Sequence, residues 1–228
     1  MGSFTGFPQE TPTYLRELGQ NSNKTWFDDH RKEYECFYME PAKAFVSAMG
    51  ARLKRLAPET TAVPKVNKSI FRINNDTRFS KNKPPYKDHI DLWFYHGDDR
   101  KSGCSGFFFR LAPDEVCIGA GVHRFDNQDL GQFRTALVHD TTKPTIEQTV
   151  DGLVNLGFEL GGEHYKRTPR GFEKWQENPL IRFNALNAFR MTDLPPSLHE
   201  ASFVDWCEPY FEHLLPLHQW LLMHVRNT

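Results

Sequence analysis

The chain has 228 residues, enough for one large domain or two small ones, with 28 Lys plus Arg against 29 Asp plus Glu and a formal net charge of −1. That balance excludes a polybasic, histone-like protein, whose overall field would draw in polyanions. With 39% hydrophobic residues and 19 Phe, the composition excludes disorder as the default and supplies a packed core.

The first helix is expected at Thr11-Pro12, with Thr capping the free amides and Gly19 closing it. A second starts at Asn23, where Trp26, His30 and Tyr34 recur every four residues and predict an amphipathic rod with one aromatic face, restarted or kinked by Pro41. Phe45, Met49, Leu53 and Leu56 continue at helical period up to Ala57-Pro58. The character then changes. Val66 to Ile73, then Ile90, Leu92 and Phe94 alternating with Asp91, Trp93 and Tyr95, predict strands, the latter with two unlike faces. Phe107 to Leu111 and Val116 to Val122 form a hairpin across the turn Pro113-Asp114. Within the last strand, Gly119-Ala120-Gly121 signals a bulge or the close approach of another backbone or a ligand. Helices follow at Leu130 to Val138 and at Ile146 to Leu156, the second stopped by Gly157. Leu186 to Met191 reads as a strand, and Phe203 to Val225 as a closing helix interrupted at Pro209 and Pro216. Helices over 11–57, a sheet with a basic motif over 64–124 and helices over 126–226 make one α+β domain spanning 1–228. Its antiparallel sheet of about four to five strands is flanked by N-terminal and C-terminal helices.

No N-terminal apolar run resembles a signal peptide, and apolar stretches such as 220–223 are too short to cross a bilayer. Cys36, Cys104, Cys117 and Cys207 form no C-x-x-C pair. A cytoplasmic protein with reduced thiols and no membrane partner is expected.

Residues 65–89 hold seven cations, Lys65, Lys68, Arg72, Arg78, Lys81, Lys83 and Lys87, against only Asp76 and Asp88, a local charge of +5 inside a neutral protein. Such segregation gives one surface a positive potential that attracts phosphate, carboxylate or nucleic acid. Arg supplies bidentate forks, Lys point charges, and Asp76 a carboxylate to orient one guanidinium, while Pro84-Pro85 stiffens the segment. Glycine is absent from it, so neither a P-loop nor a dinucleotide-binding turn can form, and any cofactor is unknown.

Three groups of residues, taken together, resemble the DUF2461 family of conserved proteins over nearly the whole chain. They are Asn23-Lys24-Thr25-Trp26-Phe27 with His30-Arg31 and Tyr34-Glu35; Asp76-Thr77-Arg78-Phe79-Ser80-Lys81 with Lys83, Pro85-Tyr86-Lys87 and His89; and Gly119-Ala120-Gly121 leading to Leu130 and Arg134. The resemblance implies a single α+β domain and points to the central motif as a site, without supplying a reaction. Where the family pattern has an aromatic-Arg pair this chain has Asn74-Asn75, and where it has Asp between two lysines this chain has Asn82. One charge of each sign is therefore missing.

The reading that follows is an enzyme or binding protein that recognises the phosphate or carboxylate of a small molecule. Arg72, Asp76, Arg78, Lys81, Lys83 and Lys87 would hold the anion, Trp26 and His30 would form the facing wall, and Tyr86, His89 or His123 would transfer protons. A non-catalytic nucleic-acid-binding module is the first alternative, with the same cations on phosphates and Phe79, Tyr86 and Trp93 stacking bases. A metal-dependent enzyme using His89, Asp91 and His123 is the second. No H-E-x-x-H motif supports a metal, and no ligand set is assigned.

Overall fold

In the computed structural model, which describes residues 3–78, 83–97 and 103–225, the chain opens with helix α1 (Glu10–Gln20). Thr11 lies inside the first turn rather than capping it. Its buried hydroxyl donates to Phe37 O at 2.7 Å, because a facing carbonyl satisfies it better than solvent-side amides. Asn23 does cap α2 (Lys24–Asp29), accepting from the Trp26 amide at 3.0 Å.

The expected aromatic rod is broken. Helix α2 ends at His30, a three-residue turn α3 (Arg31–Glu33) follows, and Tyr34–Met39 form a π-helical turn before α4 (Glu40–Leu56), with Pro41 in its first turn. A π turn holds more residues per revolution, so side chains on either side of it leave the four-residue phase. Trp26 and His30 stack on each other at 4.0 Å, whereas Tyr34 turns inward against Phe27 at 5.1 Å and Tyr38 at 5.2 Å.

The strands are β1 (Thr60–Thr61), β2 (Ile90–His96), β3 (Gly106–Leu111), β4 (Glu115–Val122), β5 (Glu159–Gly161) and β6 (Leu186–Asp193). They form one antiparallel sheet in the order β1-β2-β3-β4-β6-β5, slightly more strands than the four to five expected. The two extra strands have two and three residues, too short to show a period. Val66 to Ile73 is no strand. Asn67, at φ 63°, donates from its amide to Ile70 O at 2.9 Å, so the segment turns back on itself and makes only isolated bridges. Strand β2 does not have one polar face, since Asp91 and Tyr95 are as buried as Ile90, Leu92 and Phe94.

The chain divides into two compact units, residues 1–94, 108–118 and 191–209, and residues 95–107, 119–190 and 210–228. In the first, Phe7, Phe45, Phe109 and Phe203 form the core, with Phe45 to Phe109 at 4.5 Å and Phe7 to Phe203 at 6.0 Å. Arg52 of α4 ties down Asp205 and Glu208, each at 2.5 Å. In the second, α5 (Asn127–Val138) is capped by Asp126, and α6 (Lys143–Asn155) is followed by Gly157 at φ 81°. Phe133 packs on Phe125 at 4.7 Å and on Trp220 at 6.3 Å.

Helix α7 (Phe203–His224) runs unbroken through Pro209 and Pro216. Each interior proline costs about 3 kcal/mol. Phe203, Cys207, Phe211, Leu214, Leu217 and Leu221 are all buried, and at about 2 kcal/mol per side chain that stripe outweighs both prolines. No helix among the described residues is long and apolar enough to cross a membrane.

The glycines of β4 admit a neighbouring backbone. A Cβ on Gly119 would lie 2.8 Å from Ala188 O, and one on Gly121, at φ 132°, would collide with Leu186 O and Asn187. Gly121→Ala is expected to cost about 3 kcal/mol, from both the left-handed backbone and the clash, read as a lower urea midpoint.

Candidate functional site

The basic segment is built on a short irregular ladder. Asn74 bridges Tyr86, the Asn75 amide donates to Pro85 O at 2.8 Å, and the Lys87 amide donates to Ile73 O at 2.9 Å. The ladder is moored to the start of α2. Tyr86 is buried with its ring on Phe27 at 4.4 Å, its amide donates to Ser22 Oγ at 3.0 Å, and that hydroxyl donates back to Tyr86 O at 3.2 Å. Tyr86, expected to carry a proton, is placed as an anchor.

At the outer end, Asp76 takes Arg78 in a fork, Oδ1 accepting from Nε at 3.0 Å and Oδ2 from a terminal nitrogen at 2.7 Å. These hydrogen bonds hold the Asp76 carboxyl well below the usual carboxylate range. Arg72 and Lys83 are exposed, and neither forms an ion pair with another described residue. Lys81, like Phe79, lies outside the described residues.

The inner end converges on Asp91. Residues 87, 89 and 91 alternate along extended chain and so share a side. Lys87 Nζ donates to Asp91 Oδ2 at 3.0 Å, and His89 Nε2 faces the same oxygen at 3.2 Å. Arg110, from β3, donates from Nε to Asp91 Oδ1 at 2.7 Å. The other nitrogen of His89 lies 2.8 Å from Asp88 Oδ1, and the Tyr38 hydroxyl donates to His89 O at 3.2 Å. Burial alone would raise the Asp91 carboxyl, but hydrogen bonds from His89 and Arg110 more than offset it and leave the group well below the usual range. Each ring nitrogen of His89 thus faces a carboxylate oxygen, one of Asp88 and one of Asp91.

Asp91 as a hub and Arg110 as its partner are the residues that sequence reasoning missed as an ion pair. The available signal was a carboxylate inside an otherwise apolar strand, with an arginine on the next strand.

Trp26, His30 and His123 complete the expected set. His30 Nδ1 lies 2.8 Å from Trp26 O, so the Trp26–His30 stack is a local feature of α2 and its end. His123 belongs to the second unit, where it lines a cavity of about 370 Å³ with Arg124, Gly162, Glu163, Asn184 and Asn187. Among the described residues no three His, Cys, Asp or Glu side chains are placed to hold a metal ion. One further pair had no sequence signal: Ser105 Oγ lies 2.9 Å from His218 Nδ1, both residues buried, 113 positions apart.

Residues 10–220 match the family described as conserved hypothetical protein (DUF2461), and the chain belongs to that family. No curated protein matches it.

Proposed function

We propose that the protein binds a small molecule through its phosphate or carboxylate at the basic segment, with His89 as the proton-transferring group. Arg72, Arg78, Lys83 and Lys87 supply the positive charge, Asp76 orients Arg78, and Asp91 orients Lys87, His89 and Arg110. The observation that carries this reading is the buried Asp91 carboxylate, which holds Lys87, His89 and Arg110 in fixed positions at the inner end of a segment whose Arg72 and Lys83 are exposed and form no ion pair among the described residues. Preorganised cations bind an anion with little ordering cost. The thiol state of Cys36, Cys104, Cys117 and Cys207 supports a reducing, cytoplasmic setting. The nucleic-acid reading has less support, since the Tyr86 ring is covered by Phe27 and does not offer a stacking platform.

Inorganic phosphate or citrate at about ten times its Kd is expected to raise the melting midpoint by about 4 °C. Arg72→Ala with Lys83→Ala should abolish the shift while circular dichroism stays unchanged. Identical midpoints with and without either anion in the wild type would end the proposal.

A further inference from the structure

The second unit carries a stretch in which aromatic rings are interleaved with cations that no carboxylate holds. Residues 164–175 contain Lys166, Arg167, Arg170 and Lys174 against the single acid Glu173. All four cations are exposed, and none forms an ion pair or a side-chain hydrogen bond with another described residue. Glu173 is engaged elsewhere, with both its oxygens accepting from the Gly171 amide at 3.0 Å. A single exposed lysine is ordinary, but four cations within twelve residues, in a chain of net charge −1, concentrate positive potential in one place.

The backbone holds this stretch in shape. It enters as a ladder, with His164 bridged to Phe183 and the Tyr165 amide donating to Arg182 O at 2.8 Å. It reverses where the Phe172 amide donates to Pro169 O at 3.1 Å, with Gly171 at φ 90°, the left-handed backbone that the third position of a type II turn requires. Arg170 therefore stands at the corner of the turn. The stretch leaves through the short 3-10 helix Glu173–Trp175, closed by the Asn178 amide on Trp175 O at 3.0 Å.

The rings decide which polyanion fits. Phe172 and Trp175 are half-buried, 6.1 Å apart, whereas Tyr165 is 46% exposed and Arg134 of α5 lies over its ring, 5.3 Å from the centroid. An open ring beside Lys166 and Arg167 offers a base a stacking surface next to charges for its phosphates. An acidic peptide has no use for that ring. A bilayer is disfavoured too, since residues 164–175 include no Leu, Ile, Val or Met to enter it.

We propose that residues 164–175 bind single-stranded nucleic acid, with Lys166, Arg167, Arg170 and Lys174 on phosphates and Tyr165 stacked on a base. None of these residues belongs to the basic segment over 65–89, so this surface stands or falls apart from the anion site.

Fluorescence anisotropy with a labelled oligothymidylate of about twelve nucleotides tests it. The wild type should bind with a Kd below about 100 µM at about 50 mM salt and about fiftyfold more weakly at about 200 mM, the dependence for four phosphates of a single strand. Lys166→Ala, Arg167→Ala, Arg170→Ala and Lys174→Ala combined should abolish binding with circular dichroism unchanged, while Arg72→Ala with Lys83→Ala should leave binding as it was. Tyr165→Ala should weaken the oligonucleotide at least about fivefold and leave inorganic polyphosphate, which has no base, unaffected. Absence of a saturable signal at the lower salt overturns the proposal, as does undiminished binding in the quadruple variant. Wild-type affinity in Tyr165→Ala, or attachment to phosphatidylserine vesicles without any to the oligonucleotide, overturns it as well.

Discussion

Acidifying the protein from about pH 6.5 towards pH 3 is expected to remove on the order of 4 kcal/mol of stability through His218 alone. The ring is 1% exposed, Nδ1 meets Ser105 Oγ, and Nε2 has no hydrogen-bond partner among the described residues. Phe107 packs on it at 4.6 Å and His96 stands 6.1 Å away, so no carboxylate in these contacts compensates a charge. Burial, helped by His96, pushes its pKa down from 6.5 to about 3. Between those values the unfolded chain holds a proton that the folded chain refuses. Unfolding is therefore favoured increasingly as pH falls, and the contribution is fully present only above 6.5. Urea unfolding at several pH values reads this slope, and His218→Phe should flatten it. A variant that keeps the wild-type slope would show that other groups cause the acid sensitivity.

Asp91→Asn should cost about 3–5 kcal/mol, the usual penalty for removing one partner of a buried ionic cluster. The carboxylate side chain is 7% exposed, and its loss leaves Lys87, His89 and Arg110 without their shared acceptor. Asp76→Asn is the instructive control. Both carboxyls sit well below the ordinary range, yet Asp76 and its partner Arg78 are 35% and 76% exposed, and water screens what they gain from each other. Its unfolding midpoint should stay where it is, and equal losses in the two variants would contradict burial as the deciding factor. Because the Asp91 pKa is depressed, its contribution is intact above the unfolded value of 3.8 and fades as pH falls further, an acid limb distinct from that of His218.

What the amino-acid pattern disclosed depended on distance along the chain. The stripe Phe45, Met49, Leu53 and the stop at Gly157 mark helices because every signal lies within a few turns, and Pro113-Asp114 marks its hairpin for the same reason. A strand of two or three residues has no period to read, and the turn at Asn67 depends on one residue taking a left-handed backbone. The basic segment was visible as a charge imbalance, and His89 with Lys87 was found within it. Arg110 and Ser105 were not, since their partners are 19 and 113 residues away and only the sheet and the packing bring them together. That Phe27 covers the Tyr86 ring was not legible, because an aromatic among lysines and prolines gives no sign of its distant neighbour.

The π turn at Tyr34–Met39 works like a gear with one tooth too many. Deleting the exposed Cys36 would let that stretch close at ordinary pitch with everything before it still in phase, because the wide turn is what absorbs the extra residue. Phe27 would keep its seat on Tyr86, and the cationic segment its hold on the helical layer.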